Sequence, residues 1–115
     1  MIVNDDDDIA NLFAAALQSD GFKVEVSDNA SLALEKIKNN PDEFSLILID
    51  RTSQQELDFP KLAKAISDRM KVILASAFAF NEAEIAKSDY DMILQIPVTM
   101  SKLVTTVRGV LYSDV

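Results

Sequence analysis

Two acidic stretches stand where apolar segments stop. "LILID" carries four aliphatic residues straight into Asp50, and "MIVNDDDDI" sets Asn4 and Asp5 directly behind the first apolar residues. A carboxylate is a hard oxygen donor and, suitably activated, a nucleophile. Two carboxylates about 4 Å apart repel by roughly 4 kcal/mol at an effective dielectric near 20, so one takes up a proton unless a cation joins them. A hydroxyl recurs in the same setting, where "VILAS" ends on Ser76. The rest of the inventory narrows the chemistry. The chain has no cysteine and no histidine, which excludes disulfides, thiolate zinc sites, cysteine nucleophiles, histidine triads and a phosphohistidine carrier. Carboxylates, hydroxyls, lysines and a bound metal remain.

These groups need elements to position them, and the apolar period along the chain alternates between short runs and helical spacing. Met1 to Val3 reads as a strand, followed by a helix striped by Ile9, Leu12, Phe13, Ala16 and Leu17 that stops at Gly21. "FKVEV" alternates as a half-exposed strand does, and Asn29 is placed to cap a helix whose inner face is Ala30, Ala33, Leu34 and Ile37. Leu46 to Ile49 is apolar throughout, which predicts a strand covered on both faces. Leu62, Ala65 and Ile66 mark a third helix with Pro60 in its first turn, "VILA" from Val72 a fourth strand, and Asn81 with Glu84 the capping box of a fourth helix. "MIL" from Met92 is the fifth strand, and Leu103, Val104, Val107, Val110 and Leu111 stripe a last helix behind Thr99.

Five strands alternating with five helices predict a parallel sheet with helices on both faces. Functional groups in such sheets collect at the carboxyl ends of the strands. Asn4, Asp5, Asp50 and Ser76 all leave strands at that edge, so one small site is expected to hold them.

A chain of 115 residues with 49% apolar content makes one domain, taken as residues 1–115. Its 19 acidic and 11 basic residues give a net charge of −8, which repels nucleic acid and anionic membranes at long range. The longest apolar run is about half of the roughly 18 residues that a membrane span requires, and the expected location is the cytoplasm.

In the order of these motifs the sequence resembles the receiver domains of two-component response regulators over nearly its whole length. "VNDDDDI" matches the acidic pair after the first strand with Asn4 and Asp5, and "LILID" matches the phosphoryl-accepting aspartate with Asp50. "ILASA" supplies the Ser or Thr that ends the fourth strand as Ser76, and "DNASLAL" is similar to the opening of the second helix. The resemblance implies a flavodoxin-like α/β fold with strand order 2-1-3-4-5. It implies a signalling module and not an enzyme: a stand-alone receiver that accepts a phosphoryl group on Asp50, with Ser76 as a phosphoryl contact. Mg2+ would be held by Asp5, Asp50 and the backbone carbonyl of Thr52, with Asn4 or Asp6 as further oxygen donors. A histidine kinase or phosphotransfer protein is the implied donor, and the fourth helix, fifth strand and fifth helix form the implied surface for a downstream protein.

The chain also departs from that pattern. Ile96 precedes Pro97 where receivers carry the lysine that reaches the phosphoryl group, Asn4 removes one charge from the acidic pair, and "RTSQQELDF" rewrites the segment behind Asp50. These departures support an alternative, a pseudo-receiver that binds partners without switching by phosphorylation. A phosphatase of the haloacid dehalogenase type, suggested by "DRT", requires acid and lysine motifs that cannot be placed in this chain.

Overall fold

The computed structural model describes residues 1–50, 58–77 and 89–112. In chain order the elements are β1 (Ile2–Val3), α1 (Asp7–Ser19), β2 (Val26–Ser27), α2 (Ala30–Asn39), β3 (Leu46–Asp50), α3 (Phe59–Ile66), β4 (Lys71–Ser76), β5 (Met92–Gln95) and α4 (Met100–Leu111). The strands form one five-stranded sheet in the order β2-β1-β3-β4-β5, every pair parallel. That is the topology the resemblance implies. The fourth helix expected from Asn81 and Glu84 lies outside the described residues.

The pleat sorts the core into two halves. Leu46, Leu48, Ile73 and Ala75 face one way and pack with Phe13 and Leu17 of α1 and with Leu103 and Val107 of α4. Ile47, Ile49, Val72 and Leu74 face the other way and pack with Ala33 and Ile37 of α2 and with Phe59 and Ala63 of α3. Successive strand side chains point to opposite faces, so a central strand covered on both sides must be apolar at every position. Leu46 to Ile49 meets that requirement, and all four residues are buried.

Local chemistry sets the helix ends. Asn29 accepts from the N–H of Leu32 at 2.9 Å to cap α2, and Thr99 accepts from that of Lys102 at 3.1 Å to cap α4. Gly21 closes α1 at φ 95°, where its N–H donates to the Gln18 carbonyl at 3.0 Å and that of Phe22 to the Leu17 carbonyl at 3.1 Å. This paired closure needs a left-handed residue, which glycine supplies without steric cost.

Three expectations need correction. The buried face of α1 is Ala10, Phe13, Ala14 and Leu17, whereas Ile9 is exposed and Leu12 is 55% exposed. The small alanines let the helix lie close to the sheet and rotate the larger residues outward. On α3 the buried residues are Phe59, Pro60 and Ala63, with Ala65 exposed and Leu62 43% exposed. "FKVEV" yields only Val26 as strand, because Phe22 is held in the closure of α1 and β1 offers a partner only two residues long. Phe22, Val24 and Val26 still pack against the α1/α4 half of the core.

Candidate functional site at the carboxyl edge

Strand register decides what meets at the carboxyl edge. Val3 is paired with Ile49. Asn4 follows Val3 and Asp50 follows Ile49, so both leave this pair of neighbouring strands at the same edge. The N–H of Asn4 donates to the Ser27 carbonyl at 3.1 Å, so the chain is held against β2 up to this residue. Asp5 follows, exposed, as the chain leaves the sheet for α1. Its carboxylate accepts no hydrogen bond among the described residues, whereas the half-buried Asp50 is engaged.

The next acids have other work. Asn4 is buried at 6% exposure, and its Oδ1 accepts from the N–H of Asp6 at 2.8 Å. Asp6 is the N-cap of α1, its Oδ1 accepting from the N–H of Asp8 at 3.0 Å and of Ile9 at 3.2 Å. Asp7 and Asp8 sit in the first turn of that helix, where negative charge suits the dipole. Of the aspartate run, Asp5 alone stands at the edge ahead of the cap, its side chain clear of these turn contacts.

Ser76 occupies a different position from the acids. Asp50 pairs with Ala75, and Ser76 is one residue beyond, as the last residue of β4. Leu46 and Leu48 pack toward α1 and α4, so the pleat assigns Asp50 to that side, and it assigns Ser76 to the α2/α3 side with Val72 and Leu74. Ser76 is fully buried, and its carbonyl accepts from the N–H of Ile96 at 2.9 Å. Ile96, at the end of β5, packs half-buried against the α1/α4 core and precedes a cis bond to Pro97. Thr52 and Arg51, the remaining residues of interest beside Asp50, lie outside the described residues.

A parallel 2-1-3-4-5 sheet with carboxylates at the carboxyl ends of its first and third strands invites comparison with known structures. A CheY-like response regulator receiver domain protein from Methanospirillum hungatei JF-1 superposes with a TM-score of 0.81 at 26% identity, covering 97% of this chain and 91% of that one. The chain has the receiver fold. A response regulator from Thermotoga maritima shares the receiver fold at a TM-score of 0.83 and 19% identity, with 96% of this chain and 94% of that one covered. TrrA of the same organism, solved in complex with Mg(2+)-BeF, gives 0.81 at 20% identity, with 96% of each chain covered. No protein-family profile matches the sequence, and no curated protein does. The receiver neighbours support a response-regulator receiver role.

The donor set fits a small hard cation. Magnesium is bound through one or two carboxylates and keeps several waters, and Asp5 and Asp50 leave adjacent strands at one edge. Among the described residues there is no group of three or more acidic side chains that would form an all-protein cage. No helix among them is long and apolar enough to cross a membrane.

Proposed function

We propose that the chain is a cytoplasmic receiver that accepts a phosphoryl group on Asp50 from a histidine kinase or phosphotransfer protein. The observation that supports this most directly is the β1/β3 register, which brings Asp50 and the Asn4–Asp5 corner to the same edge of a receiver fold. Asp50 Oδ forms a P–O bond as the P–N bond of the donor phosphohistidine breaks, and the leaving imidazole takes a proton from solvent. Asp5 and Asp50 would hold the metal, with the Thr52 carbonyl as a third protein ligand. When bound, Mg2+ screens the approach of one anion to another. Asp6, as the cap of α1, fixes where the chain turns and so where Asp5 stands. Ser76 reaches the phosphoryl group only if its Oγ turns toward the edge.

Incubation with acetyl phosphate and magnesium tests the reading. Intact mass should rise by one phosphoryl group, and Asp50→Asn should abolish the gain. An unmodified wild type, or an equally modified variant, overturns it.

Ile96 favours a second reading, a pseudo-receiver. An apolar residue packed against the core at the end of β5 supplies no cation to a phosphoryl group. On this reading β5 and α4 serve as a binding surface whose state Asp50 does not control.

A further inference from the structure

The amino edge of the sheet, at the other end of the strands from Asp50, carries a groove of about 750 Å³. That is the size range of small-molecule sites. Leu46 and Leu48 of β3 line it together with Leu17, Phe22, Val107 and Leu111, so much of its surface is apolar. Its charged side chains are Lys23, Arg69 and Lys71, with Glu43 as the one acid. This inverts the balance of a chain with 19 acidic and 11 basic residues. The ion pairs among the described residues lie elsewhere, Lys64 with Asp91 and Arg108 with Asp20. Among the described residues, none of the three groove cations makes an ion pair. The Met1 ammonium at the same edge is spent on the Leu46 carbonyl at 2.8 Å.

We propose that this groove binds a small amphiphilic carboxylate, its apolar body against the α1/α4 side and its anionic head among Lys23, Arg69 and Lys71. A purely polar anion would leave the apolar lining in water, and a neutral apolar molecule would leave the cations without a counter-charge. Both halves of the ligand are therefore specified. The inference is independent of phosphoryl acceptance at Asp50, since the two sites lie at opposite strand ends.

Amide NMR titration with decanoate below its micellar concentration tests it, with decanol and acetate as controls on the same protein. Saturable shifts are expected at residues 22–24 and 44–46 and at Lys71, with decanol and acetate each binding about tenfold more weakly or worse. Lys23→Glu/Arg69→Glu, which alters two exposed side chains, should weaken decanoate by about tenfold while leaving the melting temperature near that of the wild type. The proposal is overturned by decanol binding as tightly as decanoate, by shifts centred on the Asp50 edge, or by a folded double variant that binds like the wild type. If the variant does not fold, the comparison of the three ligands on the wild-type protein decides alone.

Discussion

The N–H of Ile96 donates to the Ser76 carbonyl at 2.9 Å, which ties the end of β5 to the last residue of β4. In the receiver pattern these two positions carry the lysine and the hydroxyl that meet the phosphoryl group. Here the backbone link is in place and one of the two side chains is replaced. Were Asp50 modified, Ile96 would offer the phosphoryl group no side-chain cation at the end of β5.

Restoring the cation should restore the reach of the signal. A phosphoryl mimic, beryllium fluoride with magnesium, is expected to perturb amides around Ile93 and from Leu103 to Leu111 more widely in Ile96→Lys than in the wild type. The added contact is a charge-assisted hydrogen bond of about 1.5 to 3 kcal/mol, and only such differential contacts move a conformational equilibrium. A melting curve accompanies the measurement, because Ile96 is half-buried against the core. A stable variant that responds no more widely than wild type shifts the weight to the pseudo-receiver.

Magnesium binding should separate two aspartates three residues apart. Asp5→Ala is expected to weaken it by about tenfold or more, as the loss of a direct ligand does. Asp8→Ala should cost less than about fivefold, since Asp8 sits in the first turn of α1 and acts on the edge only through its field. Equal losses in a calorimetric titration would mean that the aspartate run binds the ion diffusely.

Ser76→Ala should slow acetyl phosphate modification about fivefold, the equivalent of roughly 1 kcal/mol for one neutral hydrogen bond in the transition state. Asp50 should stay the modified residue. An unchanged rate would give the fully buried Ser76 a structural role and no part in the transfer.

Asp91 offers a stability test away from the site. Its carboxylate accepts from the N–H of Val72 at 2.8 Å and from Lys64 Nζ at 2.7 Å, joining β4, the approach to β5 and α3. Val72 is fully buried, so Asp91→Ala leaves its N–H without an acceptor and should cost about 2 kcal/mol in urea unfolding. Lys64→Met removes the part-exposed ion pair together with the Nζ hydrogen bond to the Met70 carbonyl at 2.9 Å, and should cost about 1 kcal/mol. Equal costs would show that the Lys64 contacts, and not the Val72 backbone contact, carry the stability.

How far the sequence could be read depended on which residues face two layers at once. β3 and β4 were legible because strands buried on both sides have no polar alternative, and α2 and α4 because Asn29 and Thr99 announce their caps. The inner faces of α1 and α3 were not. Ile9, Leu12 and Leu62 lie on stripes as regular as the buried ones, and only packing reveals that Ala10, Ala14 and Ala63 take the contact. β2 misled for a related reason: alternation in "FKVEV" describes a half-exposed segment, and such a segment becomes a strand only as far as its neighbour can pair with it. At the edge, the positions of Asp5 and Asp50 followed from the strand ends. That Asn4 and Asp6 spend their Oδ1 atoms on backbone N–H groups did not, since a side-chain oxygen behind a strand reads alike as a cap or as an ion ligand until the helix start is fixed.

The place of β1 between β2 and β3 bears on how the chain assembles. Ile2 takes one neighbour from Val26 and the other from Leu48. The first of these five strands to be made is thus an interior strand of the sheet, and its second edge stays open until β3 has been made. At about 5 to 20 residues per second, that interval is on the order of seconds. Closure of this long loop must precede burial of Val3 and Ile49, which places the β1/β3 contact among the entropically costly steps of folding. During that interval the aspartates that follow β1, Asp5 to Asp8, flank the unpaired edge with negative charge, which discourages its pairing with a second nascent chain.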